Sequence, residues 1–320
     1  MTRPDARTLA LAAACLLALA AAFGPTTRAE RPVYDLVAIV DITMSMNARD
    51  YARDGRPQSR LDAVKERLVA AAARLPCGTR MGLGVFTERR SFILLAPLDV
   101  CANFTAFAGA VSSITWRMAW EGDSRVSSGL FEAVQLARES HADLVFLTDG
   151  QEAPPLRADQ PLTYDGKRGD VRGLLVGVGG DQLTPIPKYD DFGRETGFLS
   201  MTDVPQESRL GPPPADAESR PGYNPRNAPF GEMPGGEEHL TSVREPHLRE
   251  LGGMTGLGYT RLGAPVALAE AIEANAVARR VPVRIDLSPI PAAAALLALS
   301  LVYGAPFAAG IRGRMRLHAT

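Results

Sequence analysis

The sequence predicts an α/β fold: a doubly wound, mostly parallel sheet with helices on both faces, plus a C-terminal transmembrane helix. Three observations predict it. Two apolar runs of strand length, DLVAIVD from Asp35 and ADLVFLTD from Ala142, end in aspartates, and a third, VRGLLVGVG over Val171 to Gly179, ends in glycine. Runs that are apolar throughout belong to strands covered on both faces. Segments of helical spacing lie between them, and strands alternating with helices imply parallel crossovers. Finally, the apolar stretch 289–309 is followed at once by Arg312, Arg314 and Arg316. As a helix it is about 31 Å long, enough to cross a hydrocarbon core with the arginines on the cytoplasmic side.

Taken in order, residues 1–29 carry Arg3 and Arg7, then no charge from Thr8 to Phe23, then small residues near Thr27 to Ala29. That pattern is a signal peptide or an N-terminal anchor, and Cys15 falls inside it. The segment NARDYARDGRPQSR, 47–60, reads as an insertion forming a polar rim behind the first aspartate, too polar for core. A helix follows over Ser59 to Leu75, with Leu61, Val64, Leu68 and Leu75 on one side and Ser59 and Asp62 as a capping pair. Cys77 and Cys101 then bracket a strand, a charged turn at Thr87 to Arg90 and a second strand. In an exported chain an even pair at the open ends of a hairpin is a candidate disulfide, with two separate buried thiols as the alternative. Further helices are expected over Phe104 to Ile114 and Leu130 to Ala137.

The second insertion, 181–238, is rich in proline and glycine, and a loop of that length is either functional or without fixed structure. EPHLRELGGMTGLGYTRLG reads as helix, turn and last strand, and Ala264 to Ala278 as the closing helix. The organisation is therefore a main domain over 30–280, a linker over 281–288, the span over 289–309 and a cytoplasmic tail over 310–320. The expected location is the cytoplasmic membrane, single-pass, with the main domain in the periplasm. With 46% hydrophobic residues and a net charge of -1 the chain is globular in type and lacks a nucleic-acid footprint.

The chemistry gathers at strand ends. Asp41 and Asp149 should emerge from one edge of the sheet, and Asp41 is followed at alternate positions by Thr43 and Ser45. These are hard oxygen donors of the kind a small divalent cation requires, Mg2+ ahead of Ca2+ or Mn2+. Ligands of such sheets collect at the carboxyl ends of the strands. The loops DITMS, GDSRVSSGLFEAVQLA and LTDG resemble, in that order, the three loops of the metal-ion-dependent adhesion site of von Willebrand factor A domains, a Rossmann-like family. The resemblance implies ligation by Thr43, Ser45 and Ser124, with Asp41 and Asp149 acting directly or through water. Ser127 and Ser128 are alternatives to Ser124.

WRMAW places Trp116, Arg117 and Trp120 before the second loop, as a partner-binding hot spot or as packing beneath it. Arg89, Arg90 and Arg117 are candidates for steering a partner. DITMSMNARDY, LPCGTRMGLGVFTERRSFILLAP, WRMAWEGDS and FLTDGQEAPP together resemble the MxaL-type periplasmic proteins encoded with bacterial quinoprotein methanol dehydrogenases. That resemblance implies an accessory factor in maturation or metal loading of a pyrroloquinoline quinone enzyme, not an enzyme itself. The implied partner offers a carboxylate to the metal, the dehydrogenase or its assembly factors being candidates. Alternatives are a generic membrane-tethered adhesion or sensing module and a Mg2+-dependent phosphatase with Asp41 as nucleophile. Against the phosphatase, Thr43 stands where an acidic general acid is needed.

Overall fold

The computed structural model describes residues 5–118, 123–153, 155–156, 162–200, 203 and 239–317, with side chains as far as Tyr303. The chain forms two compact units, Pro32–Arg279 and a second made of its two ends, Met1–Arg31 with Arg280–Thr320.

The terminal unit contains α1 (Ala6–Ala22) and β1 (Thr26–Val33). The main unit runs from β2 (Asp35–Asp41) through a short 3-10 turn, Met44–Asn47, to the hairpin β3 (Tyr51–Arg53) and β4 (Arg56–Gln58). It continues with α2 (Arg60–Ala72), β5 (Arg80–Thr87), β6 (Arg90–Asp99), α3 (Phe104–Ser113), α4 (Val126–Glu139), β7 (Asp143–Thr148) and β8 (Gly173–Gly177). Short strands β9 (Thr184–Pro185), β10 (Pro187–Tyr189), β11 (Glu195–Phe198) and β12 (Leu240–Thr241) precede α5 (Glu245–Thr255), β13 (Gly258–Arg261) and α6 (Pro265–Asn275). The chain ends with β14 (Arg279–Asp286) and α7 (Pro289–Leu317).

The central sheet has the order β13-β8-β7-β2-β5-β6. Its pairs are parallel except β5 with β6, so the hairpin between the cysteines adds one antiparallel edge strand to a parallel sheet. Alternation along β2 shows why both faces are covered. Leu36, Ala38 and Val40 enter a core with Leu61, Val64 and Leu68 of α2, Phe107 of α3 and Leu268 of α6. Val37 and Ile39 enter the opposite core with Leu130 and Val134 of α4 and Leu251 of α5. Ser59 caps α2 as expected, accepting from the Asp62 amide at 3.1 Å.

Gly129 sets how closely α4 lies against the sheet. A Cβ there would come within 2.1 Å of the Phe86 ring, so only glycine lets the helix descend onto the end of β5. That contact fixes the loop before α4, which carries Ser124.

Cys77 and Cys101 form a disulfide with Cα atoms 5.3 Å apart. Closing that loop restricts the unfolded chain, worth about 3.5 kcal/mol in the chain-entropy model. The double variant Cys77→Ser/Cys101→Ser should unfold at a lower urea concentration, losing about 3 kcal/mol, and an unchanged midpoint would show that the hairpin closes without the bond.

Several expectations are corrected. The insertion 47–60 is not simply a polar rim: it folds as the β3–β4 hairpin, and its last residue, Arg60, has no exposed surface because acidic side chains neutralise it in the interior. Residues assigned to a linker, 281–288, lie largely in β14, which pairs with β1, and β1 runs through Thr26 to Ala29 where the leader was expected to end. Both strands are polar and mostly exposed, which is why they read as connectors.

No helix among the described residues is long and apolar enough to cross a membrane. The 17 residues of α1 rise about 25 Å, short of a full hydrocarbon core. Helix α7 also continues to Leu317 through the residues assigned to the tail. Within the terminal unit α1 packs on α7, burying Ala14 and Ala295 while Leu9, Leu16, Leu296 and Leu301 face outward. Trp120 and most of the second insertion, 204–238, lie outside the described residues.

Candidate metal centre

Asp41 and Asp149 follow adjacent parallel strands, β2 and β7, and both are fully buried. The Asp41 carboxylate is wrapped by its own loop: Oδ1 accepts from the Thr43 amide at 2.8 Å and from Thr43 Oγ1 at 2.7 Å. Oδ2 accepts from Thr148 Oγ1 at 2.6 Å, and Thr43 Oγ1 lies 3.3 Å from Ser45 Oγ. The 3-10 turn after Thr43 winds the DxTxS loop back, so that Thr43 and Ser45 are both buried.

Ser124 is stitched into the same edge by its backbone. It bridges Glu88, just past β5, and Ala153, just past Asp149, exchanging 2.7 Å hydrogen bonds with Ala153 in both directions. Its side chain is buried, yet Oγ has no hydrogen-bond partner among the described residues. Of the alternatives, Ser128 is exposed on α4, whereas Ser127 is buried there.

Asp149 has a different environment. Oδ1 accepts from the Gln151 amide at 3.0 Å, and Oδ2 accepts from Arg60 Nη1 at 2.7 Å and Thr241 Oγ1 at 3.1 Å. The same guanidinium makes 3.0 and 2.7 Å contacts to Asp50 Oδ2 through Nε and Nη2. Asp50 Oδ2 also accepts from the Gly180 amide at 2.8 Å. Arg60, Asp50, Thr148 and Thr241 are site residues that the sequence reading missed.

Burial, and then the nearby Asp149 carboxylate, push the Asp41 carboxyl up to about 7 from its ordinary 3.8. Between those values the native state holds a proton that the unfolded chain has released, so metal-free stability falls as pH rises through that window and levels off above it. In chelator the urea midpoint of the wild type should therefore drop between about pH 5 and pH 8 relative to Asp41→Asn. Parallel curves for the two proteins would refute the raised value.

The residues present fit a hard divalent cation. The donors are carboxylates and hydroxyls, and the buried Ser124 Oγ has no hydrogen-bond partner among the described residues to offset its desolvation. Among the described residues no group of three or more His, Cys, Asp or Glu side chains is placed to hold a metal, so hydroxyls must supply much of any shell.

The predicted partner residues are only partly assembled. Trp116 is half-buried, stacked on Tyr189 with ring centroids 4.4 Å apart, and packs against the core. Arg117 is exposed and donates to the Phe192 carbonyl at 3.1 Å. Both border a groove of about 1310 Å³ that also includes Asn47, Arg49 and Lys65. Arg89 pairs with Asp123 at 2.9 Å on the surface, and Arg90 is exposed.

The family profile of the von Willebrand factor type A domain matches residues 36–151, an interval containing all five predicted metal-site residues. A UPF0353 protein of Mycolicibacterium paratuberculosis is 25% identical over 296 residues, covering 85% of this chain and 78% of that protein. Among solved structures, an aerotolerance-related membrane protein from Bacteroides fragilis aligns at 16% identity and a TM-score of 0.47, covering 75% of this chain and 97% of its own. BatB from Bacteroides thetaiotaomicron aligns at 16% identity and a TM-score of 0.47, covering 75% and 98%. The matched interval holds β2, β5, β6 and β7 of the central sheet and all three loops in order, so this part of the chain is similar to a von Willebrand factor type A domain.

Proposed function

We propose that this domain is a metal-dependent protein-binding module, not an enzyme, and that it captures a partner through an acidic side chain. Asp41, Thr43, Ser45 and Ser124 would hold the cation, Mg2+ ahead of Ca2+ or Mn2+, with Asp149 behind them. When bound, the cation supplies a Lewis-acidic position that a partner carboxylate completes. The observation that carries this reading is the buried Ser124 Oγ, without a hydrogen-bond partner among the described residues, on the edge where the Asp41 loop ends.

The protein's own residues shape the rest. Thr43 and Thr148 orient the two oxygens of Asp41, and the groove beside Trp116 and Arg117 offers a surface next to Asn47 of the metal loop. Two residues after Asp41 stands Thr43, where a phosphatase would need an acidic general acid, so nucleophilic catalysis by Asp41 lacks its proton donor. The location proposed is the cytoplasmic membrane with the main domain in the periplasm, a reading supported by the basic, apolar start of the chain and by Arg312, Arg314 and Arg316 after the apolar stretch 289–309.

The finer role is that of an accessory factor in maturation or metal loading of a pyrroloquinoline quinone methanol dehydrogenase. It is supported by the resemblance of DITMSMNARDY, WRMAWEGDS and FLTDGQEAPP to proteins encoded with such enzymes. The test is capture by the tagged full chain in mild detergent from a methanol-grown extract, in Mg2+ or in chelator. The expected result is recovery of the dehydrogenase or its assembly factors in Mg2+, with at least a tenfold loss in chelator and in Ser124→Ala. Equal recovery in all three conditions would refute metal-dependent capture, and recovery of other partners alone would refute the methanol dehydrogenase role.

A further inference from the structure

The Arg60 guanidinium stands inside the metal centre rather than at its rim. It has no exposed surface, and each of its nitrogens has an acceptor: Nε and Nη2 face Asp50, Nη1 faces Asp149 and Thr241 Oγ1, and Nη2 also reaches the Thr241 carbonyl at 3.2 Å. We infer that Arg60 is a resident cation of the metal centre: it holds Asp149 away from direct ligation, weakens divalent-ion binding and leaves more of the ion's charge for an acidic ligand. This inference rests on the metal-binding reading above and describes how that site is regulated.

The two aspartates differ in what holds them. Asp41 is bonded by the Thr43 and Thr148 hydroxyls, whose O–H groups can rotate so that the carboxylate faces a cation instead. The guanidinium on Asp149 cannot do this, because its donors are fixed in a plane and its charge is permanent. With Gln151 on Oδ1 and Arg60 and Thr241 on Oδ2, both oxygens of Asp149 are already engaged.

The charges point the same way. With all three carboxyls ionised, Asp41, Asp50 and Asp149 contribute three negative charges and Arg60 one positive, leaving a deficit of two that a divalent ion cancels. Without Arg60 the same pocket would bind the ion more strongly and leave it less able to attract a further anion. Water screens these charges little, because Arg60 and Asp149 are fully buried and Asp50 is nearly so. Asp50 takes the other side of the guanidinium fork and so divides its charge. Removing the Asp50 charge should throw more of it onto Asp149.

Two substitutions are therefore expected to shift metal affinity in opposite directions. The measurement is Mn2+ binding to the full chain in detergent, followed by electron paramagnetic resonance and repeated with Mg2+ as competitor. Arg60→Gln should bind Mn2+ about tenfold more tightly than wild type, and Asp50→Asn about tenfold more weakly. Metal-loaded Arg60→Gln should also bind acetate more weakly than metal-loaded wild type.

A residue that only braces the fold would weaken binding on either substitution. Loss of affinity in both variants, or no change in a folded Arg60→Gln, would overturn the inference. If Arg60→Gln does not fold, Arg60→Lys decides instead, since it keeps a buried cation but cannot hold Asp149 and Asp50 at once: tighter Mn2+ binding supports the inference, and equal or weaker binding overturns it. Absence of Mn2+ binding by the wild type would instead remove the metal reading itself, and this inference with it.

Discussion

Asp41→Asn is expected to abolish divalent-ion binding while leaving the fold intact. Asp41 is the carboxylate whose partners can turn aside, so it carries the direct charge contact, and losing a charged oxygen ligand should cost about a hundredfold or more in affinity. The fold should tolerate the change. The amide oxygen still accepts from the Thr43 amide and hydroxyl, and the Thr148 hydroxyl can reverse its role to accept from the amide nitrogen. The substitution also removes a buried charge that the Asp149 carboxylate opposes. In chelator at about pH 8, Asp41→Asn should therefore be at least as stable as wild type. Calorimetric metal titration and urea unfolding separate the two effects, and a variant that loses metal only because it unfolds would contradict the assignment.

Arg60→Met is the second large effect, and it falls on stability. The substitution leaves Asp149 fully buried and Asp50 nearly so, both without their counter-charge. Breaking a buried pair from one side costs about 3 to 5 kcal/mol, because the abandoned charge stays out of water. The loss should shrink when Mg2+ is added, since a divalent ion supplies positive charge at the same edge. Urea unfolding in chelator and in Mg2+ measures both quantities. A loss below about 1 kcal/mol would mean that water reaches these carboxylates after all.

The sequence reveals the scaffold because its signals are local. Between their polar ends DLVAIVD and DLVFLT are apolar at every position, which suits a strand covered on both faces, and Asp41 and Asp149 come out at the same edge. The five predicted metal-site residues sit on three short loops that the sequence shows in order, and the structure buries all five.

What was hidden depends on contacts distant in the chain or on polar residues turned inward. Thr241 meets Asp149 across 92 positions, with the second insertion between them, and no local pattern joins them. Arg60 lies four residues before Val64 and eight before Leu68, so it continues the buried stripe of α2. A cation on an apolar stripe signals a buried acidic partner, but reading 47–60 by composition placed it at the surface. The β1–β14 pair escaped because a two-stranded ribbon with both faces largely exposed has no apolar alternation to reveal it.

The central claim is that Asp41, Thr43, Ser45 and Ser124 together hold a divalent cation. The most direct test is calorimetric titration of Mg2+ into the full chain in detergent, comparing wild type with Ser124→Ala, the variant that removes a single buried oxygen. One binding event in the wild type, weakened at least tenfold by loss of the Ser124 hydroxyl, is the predicted result. No binding by the wild type, or the same affinity in both proteins, would contradict it.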